Sequence, residues 1–279
     1  SIKMLSISLA PLAELLLLPD PPPALCLRNK TLHLIRHAQG THNAAEAEAA
    51  ASRLHLLDPT GRHAELHAAH GEAWVLLEEA TARRHWDAPL TPAGREQAYA
   101  LRRSLRAAAL RLDGVVSSPF RRTLQTALLA LPQLEQAATA FQLGADSLAP
   151  PPITATDLVR ERVGPYTCDG RLTVAELKAI FPAPIPINFS HVENEDRYFA
   201  EHPESGPQED ELVERRANAA LEWIMALPDH MHRLALVTHL HFLEALARLH
   251  PKMDQRRFLN AEHRVAILCE TASQRKLEL

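Results

Sequence analysis

Glycine is scarce in this chain: nine residues out of 279, against 21 prolines. That ratio points to loops stiffened by proline rather than to flexible glycine hinges. A basic excess is missing too. Thirty lysines and arginines face 34 aspartates and glutamates, for a formal charge of −4. This argues against a protein built to hold a nucleic-acid backbone. Cysteine is limited to Cys26, Cys168 and Cys269, an odd number, widely spaced and without a C-x-x-C pair. Neither a disulfide scaffold nor a structural zinc cluster is expected, and the three read as ordinary thiols in a reducing compartment. No apolar run reaches the roughly 20 residues that a bilayer span needs. The longest, from Met4 to Leu18, is interrupted by Pro11 and Glu14. Its single lysine and the Leu18-Pro19-Asp20-Pro21 sequence make a poor signal peptide, so the stretch reads as an amphipathic extension that packs on the body. The expected location is intracellular and cytoplasmic, or organellar had a presequence been removed, since the chain begins Ser1-Ile2-Lys3.

What is present is ordinary for a soluble globular protein: 46% hydrophobic and 23% charged residues. That balance excludes intrinsic disorder, collagen and coiled-coil rods. The expected organisation is an N-terminal extension over 1–28, closed by the proline-rich Pro19 to Pro23, then one domain over 29–279. A helical insertion, rich in Ala, Glu and His, is expected around 44–84. Strands read at Thr31 to Ile35, Asp113 to Val116, Leu234 to Thr238 and Arg264 to Cys269. Short apolar runs alternating with helical patterns give an α/β fold with a largely parallel central sheet. Helix starts are marked by Thr91-Pro92, by Ser118-Pro119 and by the capping box Thr173…Glu176, and Glu209 to Leu227 is amphipathic.

Three strand ends deliver charged or imidazole groups into loops: Arg36-His37-Ala38-Gln39-Gly40-Thr41-His42-Asn43, Ser117-Ser118…Arg122, and Thr238-His239. In open α/β sheets the binding crevice lies beyond the carboxyl ends of the strands. Two arginines and two histidines converging there suit a phosphoryl group, because guanidinium forks match its oxygens in pairs. Arg122 is expected in the first turn of a helix, near its positive end, which also favours a bound anion.

At these residues the chain resembles the histidine phosphatase (phosphoglycerate mutase-like) superfamily. Arg36-His37…Asn43, Asp87 to Ala98, Ser117 to Thr126 and Val237-Thr238-His239 match its motifs in order, from about residue 31 to 269. The R-H-A-Q-G-x-H-N variant is most similar to the plant and fungal phosphoglycerate mutase-like phosphatases. The resemblance implies a three-layer fold with helices on both faces of the sheet. It implies catalysis through His37 as nucleophile, Glu161 of the Leu158-Val159-Arg160-Glu161 run as acid and base, and His239. Arg36, Asn43, Arg122 and His239 would bind phosphate. No metal and no cofactor are expected.

Two positions depart from the family pattern: Ala38-Gln39 stands where Gly-Glu is usual, and Leu240-His241 where small residues are. Gln39, Leu240 and His241 are therefore expected to line the substrate pocket. The reading is a metal-independent phosphatase acting on a small phosphorylated metabolite. The alternatives are mutase-type phosphoryl transfer, or a catalytically silent scaffold or complex subunit retaining the fold. Neither a nucleic-acid partner nor a membrane span is expected, and the sequence does not give an oligomeric state. His63, His67 and His70 lie on one face if the insertion is helical, and read as a solvated stripe. Arg102, Arg103 and Arg106 read the same way.

Overall fold

The computed structural model describes residues 13–18, 26–48, 85–134, 152–164, 166–200 and 208–272. Seven strands form one sheet in the order β1-β7-β2-β6-β3-β4-β5. They are β1 (Ala13–Leu18), β2 (Arg28–Arg36), β3 (Gly114–Ser117), β4 (Ile153–Thr156), β5 (Ile187–His191), β6 (Arg233–Thr238) and β7 (His263–Ala272). The β2–β6, β3–β6, β3–β4 and β4–β5 pairings are parallel, and β7 runs antiparallel to both β1 and β2. Within the stretch read as an extension over 1–28, Ala13–Leu18 is thus an edge strand of the sheet.

The longer helices are α1 (Pro92–Ala107), α2 (Arg121–Ala130), α3 (Val174–Ile180), α4 (Asp210–Met225) and α5 (Leu240–Leu249), together with helical residues 41–48; a single turn covers Arg197–Ala200. The rest of the expected insertion, with its His63, His67 and His70 stripe, lies outside the described residues. Alternation along the strands sends successive side chains to opposite faces. Leu234 and Leu236 of β6 join one core with Val213, Leu221, Phe242 and Leu246 of α4 and α5. Ala235 and Val237 join the other, with Leu105, Leu124 and Leu177 of α1, α2 and α3. Helices therefore cover both faces, and the three-layer expectation holds.

Local signals explain most element starts. Thr91 caps α1, its side chain accepting from the Gly94 amide at 2.9 Å, with Pro92 in the first turn. The Thr173–Glu176 capping box opens α3. The helix after β3 begins later than Ser118-Pro119 suggested, at Arg121, with Phe120 as its cap. The reason is Asp87. Its carboxylate accepts from the Arg121 amide at 2.7 Å and from the Leu172 amide at 3.0 Å, doing from outside what a local serine cap would have done.

Two expectations are corrected. Cys26 and Cys269 form a disulfide, their Cα atoms 5.4 Å apart, and of the three cysteines only Cys168 is a free thiol. Antiparallel pairing of β2 with β7 brings Asn29 opposite Cys269, and so draws together two cysteines 243 residues apart, which their sequence spacing does not announce. The cysteines thus no longer argue for a reducing compartment. Arg102, expected on a solvated face, instead donates to the Leu129 and Leu128 carbonyls at the end of α2, at 2.6 and 3.0 Å. Among the described residues no helix is long and apolar enough to cross a membrane.

Candidate active site

Parallel register places the site. Arg36 pairs with Thr238 across β2 and β6, and Ser117 with Val237 across β3 and β6. The three chain ends that follow, His37, Ser118 and His239, therefore leave the sheet side by side. A cavity of about 150 Å³ opens there, and its wall includes Arg36, His37, Asn43, Arg122, Glu161, Leu240 and His241. Seven of the nine residues singled out in the sequence thus meet at one pocket.

His37 is almost wholly buried. Its Nδ1 lies 2.7 Å from its neighbour's carbonyl, Ala38 O. A carbonyl only accepts, so Nδ1 carries the proton and Nε2 keeps its lone pair. Burial, then the charges of Arg122 and Arg36, hold the ring well below the ordinary histidine value. The imidazole is neutral at physiological pH, as a nitrogen nucleophile must be.

Arg122, 1% exposed, is fixed at two points: Nη1 donates to Cys168 O at 3.0 Å and Nε to His239 Nδ1 at 3.3 Å. Its guanidinium also lies over the Phe120 ring, 4.5 Å from the centroid. Arg36 is anchored by Nη1 on the Phe258 carbonyl at 2.7 Å, while its buried Nε has no hydrogen-bond partner among the described residues. Asn43 accepts the Gly40 amide at 3.1 Å through its side-chain oxygen. Two guanidiniums on a pocket wall beside a neutral imidazole can hold a phosphoryl group and expose it to a nitrogen lone pair.

His239 and Gln39 do not line the cavity, though the His239 ring lies 5.1 Å from that of His37, centroid to centroid. His239 is fully buried and lies outside the pocket wall. Its Nδ1 accepts from Arg122, so Nε2 carries the hydrogen and donates to Ser118 Oγ at 2.8 Å. Burial, then the Arg122 charge, holds this ring well below the ordinary histidine value as well. Gln39 is turned toward the start of α1, where its side-chain oxygen accepts from Thr91 Oγ1 at 2.8 Å.

Glu161 departs from expectation in its protonation. Burial pushes its carboxyl up, but the adjacent His241, the Arg162 amide and the Arg122 charge together outweigh this and hold it down at about 2. Glu161 Oε1 accepts the Arg162 and His241 amides at 2.9 and 3.1 Å, and Oε2 lies 3.4 Å from His241 Nδ1. A free acid would need the reverse shift. His241 itself loses by burial and gains more from Glu161, so its value is raised. The departure at Leu240-His241 thus reaches the chemistry of Glu161 directly.

Sequence reasoning missed Asp169, Cys168, Arg162, Tyr166 and Arg257, which also line the cavity. Nothing in the run Tyr166-Thr167-Cys168-Asp169 marks an acid by spacing alone. Only the 3-10 turn Thr167–Asp169 brings it to the pocket.

Residues 61–143 match the family profile described as Histidine phosphatase superfamily (branch 1). A phosphoglycerate mutase-like protein of Arabidopsis thaliana is 32% identical over 235 residues, covering 78% of this chain and 74% of the relative. A second Arabidopsis thaliana relative, phosphoglycerate mutase-like protein 1, is 27% identical over 267 residues, covering 87% of this chain and 82% of its own. The crystal structure of phosphoglycerate mutase from Bacillus anthracis str. Sterne superposes with a TM-score of 0.51 at 16% identity, covering 88% of this chain and 92% of that one, a likeness of fold. With a relative at this identity matched over about three quarters of both chains, the protein belongs to the histidine phosphatase superfamily.

Proposed function

We propose that the protein is a metal-independent phosphatase that hydrolyses a small phosphate monoester through a phosphohistidine at His37. The superfamily includes phosphatases and mutases, which supports a phosphoryl-handling enzyme. The observation that carries the finer reading is the His37 tautomer: Nδ1 is spent on Ala38 O at 2.7 Å, which leaves Nε2 unprotonated on the wall of a pocket shared with Arg36 and Arg122.

In this reading His37 Nε2 attacks phosphorus and splits one displacement into two. Arg36 and Arg122 take the equatorial oxygens and spread their charge, with Asn43 positioning one of them. His239 acts through Arg122, holding the guanidinium in place rather than adding charge of its own. Glu161, kept ionised by His241, is suited to accept a proton from the water that opens the phosphohistidine. Leu240 and His241 shape the pocket and bear on the choice of ester.

The test is hydrolysis of a panel of phosphorylated metabolites, with His37→Ala as control. Release of inorganic phosphate that vanishes in the variant supports the reading. Isomerisation of a monophosphoglycerate without phosphate release would make the protein a mutase, and inertness toward the whole panel would leave a silent scaffold.

A further inference from the structure

Three carboxyl groups line the pocket, those of Glu46, Glu161 and Asp169, and the surroundings of the last two differ. Glu161 is held by two backbone amides and an imidazole. Asp169 has no such support: among the described residues its carboxyl receives only the Cys168 thiol, Sγ to Oδ1 at 3.9 Å. Its backbone, by contrast, is rigidly placed. Arg122 Nη1 donates to the Cys168 carbonyl at 3.0 Å and Arg160 Nη2 to the Asp169 carbonyl at 2.8 Å. Arg160 is itself forked on the Asp196 carboxylate, at 2.6 and 3.1 Å. The turn carrying Asp169 is therefore registered against the guanidinium that takes the phosphate.

Among the described residues no cation bonds the Asp169 carboxyl directly, although the charges of Arg122, His241 and Arg160 act on it, so its ionised form would face a phosphate dianion as a like charge. The same group protonated becomes a hydrogen-bond donor to that ligand. We propose that Asp169 is the proton donor to the leaving oxygen, with Glu161 serving the hydrolytic half-reaction; this rests on the phosphatase reading above. Burial, then the charge of Glu161, pushes the Asp169 carboxyl up to about 7, while Glu161 stays ionised. Two carboxyls set apart by their environments in one site are the arrangement expected of an acid and a base.

The steps balance. The His37 Nε2 lone pair forms the N–P bond as the P–O ester bond breaks. The bonding pair goes to the ester oxygen, which takes the Asp169 proton and leaves as the alcohol. Water then attacks phosphorus and the P–N pair returns to Nε2. The water proton passes to Glu161 and, through solvent, restores the acid form of Asp169.

The test compares the full-length wild type with Asp169→Asn and Glu161→Gln on nitrophenyl phosphate, whose leaving group needs little protonation, and on glycerol 2-phosphate, whose alkoxide does. Asp169→Asn is expected to lose on the order of 10²-fold or more in kcat/KM on glycerol 2-phosphate and only a few-fold on nitrophenyl phosphate. The limb of the alkyl-ester profile that falls through neutral pH is expected to disappear with it. Equal losses on both esters, a limb that survives in Asp169→Asn, or the leaving-group signature appearing only in Glu161→Gln would overturn the assignment. Should Asp169→Asn not fold, Asp169→Glu keeps the carboxyl on a longer arm, and an unmoved limb in that variant is equally contradictory. Wild type inert toward both esters would instead sink the phosphatase reading on which the proposal stands.

Discussion

Arg122 Nε donates to His239 Nδ1 at 3.3 Å, and the far side of that imidazole donates to Ser118 Oγ at 2.8 Å. The ends of β3 and β6 are thereby joined through a neutral ring to the guanidinium on the pocket wall. His239→Ala removes the brace and leaves a buried arginine nitrogen unpaired. We expect kcat/KM to fall on the order of 10²-fold and the inhibition constant for vanadate to rise in parallel. A limb in the wild-type profile near pH 6.5 that disappears in His239→Ala would instead give the ring a charge of its own.

Four arginines, Arg36, Arg122, Arg162 and Arg257, line the pocket, so turnover is expected to survive exhaustive dialysis against chelator. Vanadate, which adopts the five-coordinate geometry of the transferring phosphorus, is expected to inhibit. Activity lost to chelator and restored by Mg²⁺ or Zn²⁺ would contradict this.

Burial holds His37, His42 and His239 well below the ordinary histidine value. Below about pH 6.5 the unfolded chain therefore takes up protons that the folded chain refuses. The stability these rings contribute is present above that value and is lost as pH falls. Asp87 and Asp169, raised to about 6 and about 7, act in the opposite sense by binding protons in the folded state. The histidines outnumber them, and each net proton is worth ~1.4 kcal/mol per pH unit. The urea midpoint is expected to fall between pH 6.5 and 5, and less steeply in His42→Asn. A flat or rising midpoint would refute the assignment of neutral buried rings.

His241 holds Glu161 as an anion. Replacing Leu240-His241 by Ser-Gly should release that carboxyl toward its ordinary range and raise the acid limb of the pH–rate profile. Nitrophenyl phosphate turnover should stay within a few-fold while the ranking of natural esters changes. An unchanged limb and ranking would detach this pair from the site.

The meeting of Arg36, His37, Asn43 and Arg122 at one pocket was legible in the sequence because strand ends carry such groups in fixed local patterns, as Arg36-His37 and Ser117 to Arg122 do. The pocket roles of Gln39 and His239 were not, since each depends on a distant partner: Thr91 for one, Arg122 with Ser118 for the other. The same holds for Glu161, whose protonation is set by a residue 80 positions away. Strand β1, the Cys26–Cys269 disulfide and Asp169 are products of tertiary pairing, which periodicity and spacing do not encode.

The central claim is a covalent phosphoryl group on His37, and trapping it is the most direct measurement. The wild type is mixed with a ³²P-labelled phosphate monoester, quenched within the turnover time and digested for peptide mapping. A phosphoramidate is labile in acid and stable in base, unlike phosphoserine, so alkaline handling should retain the label on the peptide that contains His37. His37→Ala should carry no label and lose roughly 10³-fold or more in turnover. A label that survives acid, a label on another peptide, or undiminished turnover in His37→Ala would contradict the account.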